Sequence, residues 1–150
     1  MIDWMAFFET SIDAIHHDLA YVLANASGCR EGWLQGELLL AGREYSLWTN
    51  ESVVGCPGKV DLVCGNPPQM VAEIKIVGAH YSPKMESAVE ADVERLRRLE
   101  VPDRYMLLVI VPSDADTQLG AYLTACSFSE RCIDRTWEDS GLRLRVWRIG

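Results

Sequence analysis

From Asp3 to Asn25 the apolar residues Trp4, Phe7, Phe8, Ile12, Ile15, Leu19, Val22 and Leu23 recur at three- and four-residue steps. That is the period of one helix face, and Ser27-Gly28 marks its end. A second helix is predicted over 30–42, with Trp33, Leu34, Leu38 and Leu40 as apolar positions and Gly42 closing it. Tyr45 to Asn50 reads as a strand, followed by a loop over 51–58 punctuated by Gly55 and Pro57-Gly58. Two short apolar runs between Lys59 and Val77 flank a Gly-Asn-Pro-Pro turn and predict a hairpin. Met85 to Glu100 carries a helical stripe of Val89, Val93, Leu96 and Leu99. Arg104 to Val111 is almost continuously apolar, which suits a central strand covered on both faces. Ser113 can cap a helix running from Pro112 to about Phe128. Leu142 to Ile149 alternates, with Leu142, Leu144 and Val146 inward and Arg143 and Arg145 outward. That pattern predicts an edge strand whose charges discourage aggregation.

The hairpin carries charge where an ordinary strand has none. Strand periodicity places Val71, Glu73, Lys75 and Val77 on one face and Met70, Ala72, Ile74 and Ile76 on the other. Glu73 and Lys75 therefore project together. In the first run Lys59, Asp61 and Val63 share a face. A connection spanning Gly65 to Gln69 sets Asp61 opposite Glu73, whereas one ending at Pro68 sets it opposite Ala72. In the first register two carboxylates and an ammonium converge. Carboxylates held close repel, and burying them needs a compensating charge. A divalent cation with hard oxygen ligands supplies it, magnesium or manganese before others. The plainer reading is a surface hairpin with a cross-strand Lys–Glu pair.

Asp61, eleven intervening residues and then Glu73-Ile74-Lys75 resembles the signature of the PD-(D/E)XK nuclease superfamily, with Val60 where the motif has proline. The segment Trp33-Leu34-Gln35-Gly36-Glu37-Leu38 resembles the helix that precedes the strands in that superfamily and carries a glutamate aimed at the metal. Asp92-Val93-Glu94-Arg95-Leu96 is similar to a helix that follows the E-x-K strand in several of its branches. The resemblance implies an α/β fold with a restriction-endonuclease-like αβββαβ core over 30–111 and a mixed central sheet flanked by helices. An extra N-terminal helix (1–28) and a C-terminal helix and strand (112–150) would complete a single domain. It further implies Mg2+- or Mn2+-dependent hydrolysis of phosphodiester bonds in nucleic acid, DNA before RNA. Asp61, Glu73 and the Ile74 carbonyl would hold the metal, with Glu37 joining through a water, and Lys75 would position the attacking water. Asp92 and Arg95 would pair along their helix rather than take part in catalysis. His80, Tyr81 and Lys84, in the loop leaving the Lys75 strand, are candidates to touch substrate.

Composition adjusts this picture. The chain has 150 residues, 49% hydrophobic and 24% charged, an ordinary balance for one folded domain. Its net charge of −8 opposes a sequence-independent grip on nucleic acid. Residues 1–29 hold four acids and no base, while Arg131, Arg135, Arg143, Arg145 and Arg148 gather at the other end, and Arg143 and Arg145 could meet a phosphate backbone. A catalytically inactive binding or assembly subunit of the same fold is therefore the second expectation. Specificity in either case would come from loops, a homodimer or a partner subunit. Five cysteines without a C-x-x-C spacing predict free thiols rather than a zinc site or a disulfide framework. No apolar run approaches a membrane span, and the first basic residue is Arg30, so no membrane partner or secretory leader is expected. The expected compartment is the cytoplasm. His16 and His17 are adjacent, project roughly 100° apart on a helix, and do not chelate as an i, i+4 pair would.

Overall fold

The computed structural model describes residues 1–26, 28, 30–78, 84–113, 115 and 129–150. Its helices are α1 (Trp4–Asn25), α2 (Arg30–Ala41) and α3 (Lys84–Arg98), with a short 3-10 turn at Arg43–Tyr45. Its strands are β1 (Leu47–Ser52), β2 (Lys59–Cys64), β3 (Met70–Val77), β4 (Asp103–Ile110), β5 (Ser129–Trp137) and β6 (Leu142–Ile149). Asp3 caps α1, its carboxylate accepting the Ala6 N–H at 3.1 Å. At the end of α2 the Gly42 N–H donates to the Leu38 carbonyl at 2.9 Å. A side chain there would meet Leu47 Cδ1 at 2.3 Å and Phe7 Cζ at 3.0 Å, so the close passage of α1 and β1 requires glycine.

The strands form one mixed sheet in the order β1-β2-β3-β4-β6-β5. β3 and β4 run parallel, joined across α3; the other neighbours are antiparallel. The fold is thus α/β, as the sequence predicts. One face of the sheet presents Leu62, Ala72, Ile74, Leu107, Leu144 and Val146 to α1 and α2, around the fully buried Phe8, Ile12, Leu34 and Leu38. The other presents Val71, Val77, Met106, Leu108 and Trp147 to Val89, Val93 and Leu96 of α3. β4 is buried on both faces from Tyr105 to Ile110, which accounts for its unbroken apolar run.

One expectation needs correction. β6 is not an edge strand: it lies between β4 and β5. The strand that covers it, β5, reads Ser-Glu-Arg-Cys-Ile-Asp-Arg-Thr-Trp, a polar run with little apolar alternation to reveal it. Arg143 and Arg145 therefore do not shield an open edge. Arg143 forks onto Asp134 of β5, Nε to Oδ1 at 2.8 Å and Nη2 to Oδ2 at 2.7 Å, and Arg145 Nη1 lies 3.3 Å from the same Oδ2. The helix predicted from Pro112 to about Phe128 lies largely outside the described residues. At its start the Ala115 N–H donates to the Pro112 carbonyl at 2.9 Å.

The Arg143 hydrogen bonds hold the Asp134 carboxyl below its usual range, with Arg145 adding to the pull against partial burial. A carboxyl lowered in the folded state contributes stability above its unfolded value of 3.8 and loses it as the pH falls through the lowered value. Asp134→Asn is therefore expected to cost about 0.5–1 kcal/mol at neutral pH, the range for a partly exposed pair. The gap from wild type should close as the pH falls through the lowered value. Urea melts at several pH values check this; a gap that persists in acid would show that the pair is not its source.

Candidate metal centre between β2, β3 and α3

The β2–β3 hairpin settles the register. Cys64 pairs with Met70, Val63 with Val71 and Leu62 with Ala72. The connection is the five-residue Gly65–Gln69, closed by the Gln69 N–H on the Cys64 carbonyl at 2.8 Å. Gly65 opens it at φ +91°, a conformation open to glycine without strain. One step past the last pair, Asp61 lies opposite Glu73. There the ladder gives way: Asp61 Oδ2 takes the Ile74 N–H at 2.7 Å, where a backbone carbonyl would otherwise sit. A residue's amide and carbonyl point to the same side of its strand. The Ile74 carbonyl accordingly faces the β2 side too.

Glu73 and Lys75 share the α3 face with Val71 and Val77, as strand periodicity predicts. Glu73 is buried, 2% exposed, and forms an ion pair with Arg95 of α3. Lys75 is half-buried, with Nζ 3.2 Å from Asp92 Oδ2. Asp92 Oδ1 receives Arg95 Nη2 at 3.2 Å, the i, i+3 pair expected along the helix. Arg95 Nη1 also donates to the Pro57 carbonyl at 3.4 Å, tying the β1–β2 loop to the cluster. Asp92 and Arg95 thus belong to the centre itself, which their spacing on one helix did not reveal.

Helix α2 contributes different residues from the expected one. Gln35 is buried and donates through Nε2 to Asp61 Oδ1 at 3.2 Å, while its Oε1 accepts from Asn50 Nδ2 at 3.1 Å. Asn50 holds φ +53° to make that contact. Glu31, one turn before Gln35, feels the charges of Asp61, Lys75 and Asp92. Glu37 is partly buried and lies about 200° around the helix from Gln35. It belongs to the far side of α2, so the helix glutamate turned toward the cluster is Glu31. The short segment around Trp33 matches a helix but does not report how that helix is rotated. His80, Tyr81 and the side chain of Lys84 lie outside the described residues.

The electrostatics reflect an excess of acid. Among the described residues, the four carboxyls of Asp61, Glu73, Asp92 and Glu31 face three cations, Lys75, Arg95 and, beside Glu31, Arg30. Burial, a hydrogen bond with Asp61 and the charges of Asp61 and Asp92 push the Glu73 carboxyl up to about 9, against the pull of Arg95. Burial first, then Asp61, raises Glu31 as well. Burial opposes the charge on Lys75, but Asp92, Glu31 and Asp61 outweigh it and hold the ammonium above its ordinary range. Lys75 is accordingly a fixed positive charge at neutral pH. Asp61 and Glu73 face each other across the hairpin and raise each other's cost of ionisation, and their carboxylates and the Ile74 carbonyl are hard oxygen donors of the kind one divalent cation takes. A cleft of about 520 Å³ opens beside them, lined by Arg30, Glu31, Gly32, Lys75, Ile76 and Met85.

Among the described residues Cys56, Cys64 and Cys132 are free thiols, and no helix is long and apolar enough to cross a membrane. No family model, no curated protein and no solved structure matches the chain.

Proposed function

We propose that the protein is a metal-dependent nuclease of the PD-(D/E)XK type, hydrolysing phosphodiester bonds of nucleic acid, DNA before RNA. On this reading α2-β1-β2-β3-α3-β4 is the αβββαβ core of the restriction-endonuclease-like fold. The observation that carries it is the placement of Asp61 opposite Glu73 across the hairpin, its Oδ2 on the Ile74 N–H, with the Lys75 ammonium on the Glu73 strand face. Asp61, Glu73 and the Ile74 carbonyl would hold Mg2+ or Mn2+. The metal, when bound, supplies Lewis-acid activation of water and stabilises charge on the phosphate and the leaving oxygen. Lys75 orients the attacking water and faces the negative charge that develops. Asp92 holds Lys75 in place, and Gln35 holds Asp61. Arg95 pairs with Glu73 and would share that carboxylate with the metal. The cleft beside Lys75 and Arg30 is where the nucleic-acid backbone would lie. Specificity would come from loops, a second copy of the chain or a partner subunit.

One observation favours a second reading, a catalytically inactive subunit of the same fold. Arg95 and Lys75 pair with Glu73 and Asp92, and the chain carries a net charge of −8. Thermal melting with and without millimolar Mn2+ decides between them, in the wild type and in Asp61→Ala. Metal at a hundred times its dissociation constant stabilises by about 2.7 kcal/mol. That is a rise of roughly 5–10 °C for a chain of this size, expected in the wild type and absent in the variant. An equal shift in both, or none in either, would remove the metal centre and leave the inactive subunit.

A further inference from the structure

A second group of metal-binding side chains lies on α1 and shares no residue with the acidic cluster. His16 and His17 leave the helix in different directions, and alone they make no chelate. The fold adds a third donor. The turn 138–141 between β5 and β6 brings Asp139 against α1. His17 Nε2 lies 3.0 Å from Asp139 Oδ2, and His16 Nδ1 lies 3.9 Å from Asp139 Oδ1. One donor atom from each residue falls within 4.8 Å of the others. Zinc bonds of about 2.0–2.2 Å set neighbouring tetrahedral donors about 3.4 Å apart, and the two His–Asp139 separations, one to each carboxylate oxygen, lie on either side of that distance.

The arrangement is held in place beforehand. The His16 side chain is 14% exposed. Its ring stacks on Trp137 at 5.6 Å and 18°, and the contact of its Nδ1 with Ser140 Oγ at 2.8 Å would give way to the ion. Trp137 is itself fixed by its Nε1–H on Asp13 Oδ1 at 2.8 Å and by Arg135 over its ring at 4.5 Å. The His16 and His17 rings approach to 4.1 Å between centroids. His17 and Asp139 are 65% and 63% exposed, so an ion can enter without opening the fold. Two imidazoles and one carboxylate suit a borderline divalent ion rather than magnesium or calcium.

We infer that His16, His17 and Asp139 form a site for a borderline divalent cation, zinc foremost, that clips α1 to the β5–β6 hairpin. Water or a donor from another molecule completes the coordination. Because His17 and Asp139 are exposed, His17→Gln and Asp139→Asn should fold normally, which circular dichroism verifies. Calorimetric titration of the full chain with Zn2+, in millimolar Mg2+, is expected to give one zinc per chain. Each variant should weaken binding at least tenfold, since even outer-shell changes cost about 10- to 100-fold. Co2+ in place of zinc should give a visible absorption band that both variants lose. In Asp61→Ala the zinc isotherm should stand unchanged, which separates this site from the proposed nuclease centre. Equal zinc affinity in wild type and both variants would assign the ion to cysteines or to the acidic cluster and overturn the proposal. No zinc binding at micromolar concentration would leave a histidine–aspartate ion pair only, and overturn it equally.

Discussion

Lys75→Ala is expected to abolish metal-dependent cleavage while the protein stays folded. The side chain is 26% exposed, and Asp92 retains Arg95 when the ammonium is gone. The structural cost should therefore stay at about 1.5–3 kcal/mol, the range for a hydrogen bond to a charged group. The catalytic cost is larger. Asp92, Glu31 and Asp61 hold Lys75 charged despite burial, so it cannot serve as a general base at neutral pH. Its work is electrostatic, and removing one preorganised donor of this kind costs about 10²- to 10³-fold in rate. Single-turnover cleavage of duplex DNA in millimolar Mg2+ or Mn2+ measures it. Lys75→Arg keeps the charge but not the compact ammonium, and should recover little. Undiminished cleavage by Lys75→Ala would take the lysine out of the mechanism.

Glu73→Gln should reshape the dependence of stability on pH. With a chelator present, folded Glu73 keeps its proton up to about 9, while the unfolded chain releases it near 4.5. A group raised in the folded state contributes stability that is complete below the unfolded value and is lost as the pH rises through the folded one. Wild-type stability should thus fall between about pH 5 and 9, with a slope approaching about 1.4 kcal/mol per unit for one proton. The glutamine variant, which cannot ionise, should lose that slope and become the more stable protein at alkaline pH. Divalent metal competes with the proton, so the Mn2+-induced rise in melting temperature should grow with pH in the wild type and vanish in the variant. Parallel profiles for the two proteins would mean that Arg95 keeps Glu73 ionised throughout.

Much of the fold could be read along the chain. Helix α1, helix α2, the β2–β3 hairpin, helix α3 and the buried β4 each carry a local apolar period, and each stands where that period predicts it. β5 did not announce itself, because its stability comes from pairing with β6 and from Asp134 meeting Arg143, partners nine residues away in sequence. Reading β6 as an edge strand followed from missing β5. The same division runs through the site. That Glu73 and Lys75 point one way is a property of any strand. Whether Asp61 meets Glu73 depended on the length of a turn, decided when Gln69 closed it onto Cys64.

What the sequence determined alone was the α/β class, the charged hairpin and the shared face of Glu73 and Lys75, because periodicity is local and two dihedrals per residue enforce it. The rotation of α2 that turns Gln35 and Glu31, not Glu37, to the cluster came only with the tertiary structure. So did the docking of α3 that sets Asp92 and Arg95 against Lys75 and Glu73, and the approach of Asp139 to His16 and His17. Each is a contact between elements whose register and rotation are set by how whole apolar faces pack, and no short stretch of sequence encodes that packing.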